Sequence, residues 1–251
     1  MKNHSETGHG INVCNLKKTI DTCKRFGSYY APSNSEISIY NLTKKWEATL
    51  KLHESLTKLI LQNKAITLER DALFKALNKK ITKVIGIVGS LKESDTFKLE
   101  VKVIADKIRG FNHMSKTNLV SSHVQEEVRN CDLSFIIRTE NYHCLISILK
   151  SSPLYIPNEN ELKVESLNDE HEKMVSLNET IEYLSAQISM TRQARNKALY
   201  DRDMGALPAM KACRSYIKGL FGHLSPEFKL VSAIKFRPLP IKYKFEKLEH
   251  A

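Results

Sequence analysis

Glycine and proline are both scarce in this chain, whose 251 residues include only nine glycines and seven prolines. Sandwiches and barrels need many tight turns, and these two residue types supply most of them, so such folds are disfavoured. Two long stretches, residues 33–85 and 158–204, contain neither residue. Because long helices tolerate few of either, we predict an all-α protein.

Export and membrane signals are also missing. The first ten residues, "MKNHSETGHG", are polar and lack the apolar run of a signal peptide, so we expect them to be disordered. The longest nearly apolar run, residues 81–91, contains Lys83 and is far shorter than the stretch of about 20 residues that crosses a bilayer. These absences predict a cytoplasmic protein that has no membrane segment.

The cysteines do not have the number or spacing of a disulfide framework or a structural zinc site. There are five of them, an odd number, and no two form a Cys-x-x-Cys pair. This disfavours both a disulfide framework and a structural zinc site. We expect reduced thiols that pack as small buried or half-buried side chains.

Common catalytic patterns are absent too. The segment "KVIGIVGS" (83–90) lacks the third glycine of the dinucleotide-binding fingerprint, and we interpret it as helix. Glu140 and His143 form a Glu-x-x-His pair, whereas a di-iron bundle needs two such pairs. His143 is adjacent to Cys144, but adjacent side chains on a helix point apart and make a poor base and nucleophile. We therefore predict no cofactor, no metal and no enzymatic activity.

The chain repeats itself after about 125 residues. "YAPSNSEISIYNL" (30–42) aligns with "YIPNENELKVESL" (155–167), and "SDTFKL" (94–99) later aligns with "SPEFKL" (225–230). The equivalent residues are Tyr30 and Tyr155, Pro32 and Pro157, and Arg70 and Arg195. Matches in the same order predict a tandem duplication. We interpret the two arginines as residues that cap or bridge helices rather than as ligand contacts.

Each predicted repeat has the plan of a helical bundle. Apolar residues spaced by three, four and seven, such as Leu177, Ile181, Leu184 and Ile188, predict long coiled-coil-like helices. Each long stretch could be one helix or a hairpin, which in the first repeat would turn near residues 62–64. We predict four segments: a disordered N-terminus (1–10), two helical repeats (11–123 and 124–236) and a basic tail (237–251).

Three segments carry a resemblance to a known family. "YIPNENELKVESLN", "RNKALY" and "FGHLSPEFKLVSAIKF" resemble motifs in a family of uncharacterised bacterial helical proteins. The resemblance is strongest over residues 140–236. It implies a helical fold and an intracellular bacterial setting, and it brings no activity, ligand or catalytic residue.

Positive charge is concentrated in the first half of the chain. Residues 1–125 carry 21 basic and 11 acidic side chains, against 18 and 17 in residues 126–251. The basic residues that could contact nucleic acid are Lys75, Lys79, Lys80 and Lys83 in the first repeat, and Arg237, Lys242 and Lys244 in the tail, where aromatic residues lie between them. The alternative is a solvated helix face and a tail that docks on the bundle.

Three functions are consistent with these patterns. We favour a non-enzymatic helical scaffold or protein-interaction module that binds a protein partner or itself. A basic nucleic-acid-binding protein is the first alternative. An enzyme with its site between the two bundles is the second, because domain interfaces are common places for pockets.

Overall fold

The computed structural model describes residues 6–110 and 134–238 of the chain. Within these residues all regular structure is helical, with no β-strand, so the predicted all-α fold is confirmed. The described α-helices are α1 (Thr7–Arg25), α2 (Ile39–Ser90), α3 (Asp95–Arg109), α4 (Phe135–Ser151), α5 (Val164–Tyr200), α6 (Ala206–Phe221) and α7 (Pro226–Ser232). None of these helices combines the length and the hydropathy needed to cross a membrane.

The long stretches without glycine or proline form single helices. Helix α2 has 52 residues and continues through residues 62–64, so there is no hairpin at that point. The segment 83–90 lies inside the same helix, in agreement with the interpretation of "KVIGIVGS" as helix. Helix α5 has 37 residues and ends before Gly205. A Cβ atom on Gly205 would lie 2.4 Å from the carbonyl oxygen of Asp201, so only glycine fits this break.

Serine caps fix the beginnings of three of the shorter helices, α3, α4 and α7. Ser94, Ser134 and Ser225 accept hydrogen bonds from backbone amides three residues later, at 3.2, 3.2 and 3.1 Å. Helix α1 begins at Thr7, inside the stretch for which the sequence predicts disorder. Helix α4 begins at Phe135, whereas the sequence predicts a helix from residue 124; residues 124–133 lie outside the described part.

The chain divides into two compact units, and the division falls inside α2 and α5. Unit 1 consists of Met1–Ile60 and Ala186–Ala251, and unit 2 is Leu61–Ser185. Each unit therefore takes residues from both predicted repeats, whose boundaries stay a prediction. The core of unit 1 comes from α1, α6, α7, the beginning of α2 and the end of α5, and includes Leu16, Ile20, Leu42, Leu199, Met210, Ile217 and Phe228.

The core of unit 2 comes from α3, α4, the second part of α2 and the first part of α5. Its fully buried side chains include Leu77, Ile81, Ile108, Tyr142, Leu145 and Leu167. These residues recur every three or four positions along their helices. Each helix therefore presents one apolar face to the interior, and burial of these faces stabilises the unit.

The two repeat motifs form the same local structure. The hydroxyl of Tyr30 donates to the carbonyl of Ile37 at 2.7 Å, and that of Tyr155 donates to the carbonyl of Leu162 at 2.9 Å. Each tyrosine precedes a 3₁₀ turn, Ser35–Ile37 or Asn160–Leu162, and then a long helix. Pro32 is half-buried and Pro157 is buried. These matched contacts favour the duplication, which itself stays a prediction.

Candidate functional site

Unit 2 contains a groove of about 670 Å³ that is lined by one face of α4, one face of α5 and Arg70 of α2. We call it the α4–α5 groove. Its apolar lining includes Phe135 and Ile136 of α4, and Val175 and Ile181 of α5. The side chain of Ile136 is 53% exposed and lies in the lining beside the half-buried Phe135, Val175 and Ile181. The groove therefore offers apolar surface to a ligand.

Arg70 is held at the groove by an aromatic pair. Its guanidinium lies 3.7 Å from the ring centroid of Phe135, and Phe135 makes an edge-to-face contact with Phe74 at 4.9 Å. Burial lowers the pKa of Arg70, and the nearby charge of Asp71 opposes this shift. The Nε atom of Arg70 is buried; it lies 3.8 Å from a carboxylate oxygen of Asp71 and makes no hydrogen bond to any described residue. Arg70 thus brings an unused donor to the groove.

Asn178 brings an unused acceptor. Its Nδ2 donates to the hydroxyl of Thr139 at 3.2 Å, and Thr139 donates to the carbonyl of Phe135 at 2.8 Å. The Oδ1 atom of Asn178 is buried and has no partner within the described ranges. Buried polar atoms are normally paired, so a polar group of a ligand or water is expected at these atoms.

Two histidines line the same groove. The rings of His143 on α4 and His171 on α5 have centroids 5.0 Å apart. Burial lowers the pKa of His171 and the neighbouring His143 lowers it further, whereas the charge of Glu172 raises it. No cluster of three or more metal-ligating side chains occurs in residues 6–110 and 134–238. Within these residues, the Glu140–His143 pair therefore has too few neighbouring ligands to hold a metal. Cys144 has an exposed thiol and lines the groove.

The groove has an acidic rim. Glu140 of α4, and Glu179 and Glu182 of α5, line it and are exposed. None of the three is within ion-pair distance of a basic side chain in the described ranges. The rim is therefore negatively charged and available to a partner.

The structure separates the lysines predicted to contact nucleic acid into two pairs. Lys75 and Lys79 are exposed on α2. Lys80 binds Glu170 at 2.6 Å, and Lys83 binds Glu161 at 2.5 Å. Glu170 also accepts a hydrogen bond from the hydroxyl of Tyr142 at 2.9 Å. Half of the predicted basic cluster is thus paired with carboxylates of its own unit.

Arg237 is the one of the three predicted nucleic-acid contacts in the tail that the structure describes, and its backbone is hydrogen-bonded to α1. Asn12 of α1 accepts a hydrogen bond from the amide of Arg237 at 2.8 Å and donates one to its carbonyl at 2.9 Å. Asn15 donates to the carbonyl of Lys235 at 2.8 Å, and Phe236 packs against the core of unit 1. The side chain of Arg237 is exposed. Lys242 and Lys244 lie outside the described residues.

Arg195, the predicted equivalent of Arg70, has a carboxylate partner. It is 1% exposed, binds Glu6 and donates a hydrogen bond to the side-chain oxygen of Asn196 at 2.9 Å. Glu6 also binds Arg192 at 3.0 Å. Sequence analysis missed Glu6 because it lies in a polar stretch that predicts disorder. No sequence signal pointed to Glu6, because the first helical repeat is predicted only from residue 11, whereas α1 begins at Thr7.

The cluster around Arg195 includes two histidines. Burial and the charge of Arg195 lower the pKa of His9 to about 4, and His9 lies 2.9 Å from the hydroxyl of Tyr200. Burial likewise lowers the pKa of His53, whose Nδ1 atom has no partner among the described residues. A cavity of about 470 Å³ in unit 1 is lined by Glu6, Gly10 and His53, among others. Because Arg195 and Glu6 form an ion pair that neutralises the charge of both, we interpret this cluster as structural.

Comparison with known proteins gives one similarity. No family model matches the chain, and no solved structure matches it. A pentatricopeptide repeat-containing protein of Arabidopsis thaliana is 29% identical over 150 residues, which are 57% of this chain. The chain spans about a quarter of the length of that relative, at 24%. The resemblance to a bacterial family finds no support in these comparisons, and they agree with a helical protein without assigning it to a family.

Proposed function

We propose that this protein is a non-enzymatic helical interaction module whose α4–α5 groove binds a basic amphipathic helix of a protein partner. The observation that carries the proposal is the combination of an open apolar groove with an unpaired acidic rim. Helix-in-groove recognition uses this combination: apolar side chains enter the groove, and charges at its edge fix orientation.

The length of the groove suits a helix. Its α5 side includes His171, Val175, Asn178 and Glu182, which span about 16 Å at the rise of an α-helix. A partner helix that contacts this length presents side chains at positions i, i+4 and i+7. Ile136 and Val175 would pack against them, and each buried aliphatic side chain contributes roughly 1.5–3 kcal/mol to binding.

Charge selects the kind of helix. Glu140, Glu179 and Glu182 favour lysine and arginine at the edges of the partner's apolar face. Arg70 and Asn178 offer one donor and one acceptor inside the groove, where a polar side chain of the partner can pair with them. A purely apolar ligand would leave these two atoms unpaired, at a cost of roughly 1–3 kcal/mol each.

The test uses a fluorescent peptide of leucine and lysine that forms an amphipathic helix, and a leucine–glutamate peptide of the same pattern. Fluorescence anisotropy of the full chain is expected to show binding of the first peptide and little of the second. Glu179→Lys replaces attraction by repulsion and is expected to weaken binding of the lysine peptide about fivefold. Glu172→Lys, an exposed position of α5 outside the groove lining, is the charge-matched control and is expected to have little effect.

Equal binding of the two peptides, or equal effects of the two variants, would contradict the proposal. A second copy of the chain is the other partner to test. Sedimentation of the free protein measures self-association, and a dimer that Glu179→Lys disrupts but Glu172→Lys does not would assign the groove to self-association instead.

A further inference from the structure

Two thiols lie together in the core of unit 1. Cys23 belongs to α1 and Cys213 to α6, and both are fully buried. Their Sγ atoms are 3.4 Å apart. A disulfide bond needs a separation of about 2.0 Å, so the sulfurs need to approach by only roughly 1.4 Å. Side-chain rotation and a small helix shift can supply such a movement.

A tyrosine hydroxyl lies beside the pair. The Oη atom of Tyr30 is 3.2 Å from the sulfur of Cys213 and 2.7 Å from the carbonyl oxygen of Ile37. A hydroxyl has one proton, and the shorter bond to Ile37 takes it. The thiol of Cys213 can therefore donate to the Tyr30 oxygen, while the thiol of Cys23 donates to the sulfur of Cys213.

The fold itself does not require these cysteines. Tyr155 makes the same hydrogen bond to its own turn in unit 2, and Leu149 holds the place of Cys23 near the end of α4: the amide three residues later donates to its carbonyl in both cases. Leu149 is fully buried in the core of unit 2 as an ordinary aliphatic residue. The architecture thus accepts an apolar side chain at this position, and the thiol pair is a property of unit 1.

The two thiols differ in acidity. The hydrogen bond from Cys23 lowers the pKa of Cys213, and the same bond together with burial raises the pKa of Cys23. Cys213 is therefore the first of the two to become a thiolate, which is the form that reacts with oxidants. Cys23 stays protonated and lies in the position of a resolving cysteine.

We propose that Cys23 and Cys213 are a modification site at which hydrogen peroxide forms a reversible disulfide. The Cys213 thiolate attacks one peroxide oxygen, the O–O bond breaks, and the departing hydroxide takes a proton to become water. The sulfur of Cys23 then attacks the Cys213 sulfenic acid, the S–O bond breaks, and the hydroxyl leaves as water with the proton of Cys23. Two sulfurs are oxidised and one peroxide is reduced to two waters.

The disulfide would join α1 to α6 within unit 1. It closes the chain between residues 23 and 213, which are 190 positions apart in sequence. Reduction by a dithiol returns both thiols. Because both sulfurs are buried in the reduced protein, a small oxidant such as peroxide reaches them more readily than a bulky disulfide does.

The experiment uses the full chain with Cys14, Cys131 and Cys144 each replaced by serine. After peroxide treatment, the protein is denatured, alkylated with iodoacetamide and weighed by mass spectrometry. The expected result is a protein that has lost two hydrogen atoms, carries no alkyl group, and yields a linked pair of peptides containing Cys23 and Cys213. A dithiol should restore two alkylation sites, and the melting temperature should be higher in the oxidised form.

Two controls keep the result interpretable. The further variants Cys213→Ser and Cys213→Ala should form no cross-link, and circular dichroism shows which of them remains folded. In concentrated urea the same peroxide treatment should form the cross-link far more slowly, because the sulfurs are no longer held together. Two free thiols after treatment of the folded protein, or added oxygen atoms without a cross-link, would overturn the proposal.

Discussion

Removing the carboxylate of Glu6 is expected to destabilise unit 1 through Arg195. Arg195 is 1% exposed, so its guanidinium cannot gain water if the carboxylate is lost. The carboxylate of Glu6 forms ion pairs with both Arg195 and Arg192. The variant Glu6→Gln keeps the size of the side chain and removes its charge, which isolates the electrostatic contribution.

The magnitude follows from burial and from the remaining partners. Breaking a buried ion pair by removing one member costs roughly 3–5 kcal/mol. The side chain of Glu6 is 27% exposed, and Asn196 still accepts from Arg195, so the cost here is lower. We expect a decrease of about 2 kcal/mol in the free energy of unfolding. Arg195→Met removes the buried charge itself and should cost less than Glu6→Gln.

Urea denaturation of the two single variants and the double variant measures this coupling. If the pair acts as described, Glu6→Gln has little further effect once Arg195 is methionine. Additive losses, or a Glu6→Gln variant as stable as the original protein, would refute the reasoning. Burial raises the pKa of Glu6, but hydrogen bonds and charges of Arg195 and Arg192 outweigh it, so the folded pKa lies below 4.5. The contribution of Glu6 is therefore present above pH 4.5 and is lost as the pH falls through the lower folded value.

Three further predictions concern other parts of the molecule. His9, whose folded pKa is about 4 against an ordinary value of 6.5, should make unfolding easier as the pH falls between these values. His9→Gln should reduce this dependence of stability on pH in acid titrations followed by circular dichroism, and His53, whose pKa is also lowered, accounts for part of what remains; an unchanged dependence would contradict the prediction. Asn12→Ala should speed hydrogen exchange at the amide of Arg237 by roughly tenfold or more, since that amide loses its acceptor; unchanged exchange would show that the tail is held by other contacts. If nucleic acid binds through the exposed pair Lys75 and Lys79, charge reversal of both should weaken binding to single-stranded RNA. The slope of the logarithm of the binding constant against the logarithm of the salt concentration should become less steep by about 1.4, for two lost phosphate contacts. Binding that does not change with salt would exclude this interface.

Much of the helical architecture could be predicted from local sequence. The scarcity of glycine and proline predicts that residues 33–85 and 158–204 are helical but leaves open whether each is one helix or a hairpin; α2 and α5 are single helices, and α2 continues through Gly86 and Gly89. Gly205 and Ser225 mark the beginnings of α6 and α7 by conformational freedom and by capping. Such features depend on a few neighbouring residues, which the sequence lists in order.

The candidate site could not be predicted in the same way. The α4–α5 groove depends on which faces of two helices meet, and no short motif encodes that. Lys80 and Lys83 are basic in sequence, but their carboxylate partners lie 90 and 78 positions away. The alignment predicts that Arg70 and Arg195 are equivalent, but their surroundings in the structure differ. The Nε atom of Arg70 lies 3.8 Å from Asp71 and makes no hydrogen bond to a described residue, whereas Arg195 binds Glu6, 189 positions away.

The discontinuous composition of unit 1 determines when it can fold during synthesis. Its first segment ends at Ile60 and its second begins at Ala186, so the ribosome makes all of unit 2 in between. At roughly 5–20 residues per second, this interval lasts about 6–25 s. Throughout it, the apolar face of α1, with Leu16 and Ile20, has the beginning of α2 beside it but lacks α6 and α7, and its uncovered part is a substrate for chaperones. Helix α1 is thus made before unit 2 but reaches its full set of native contacts only after it.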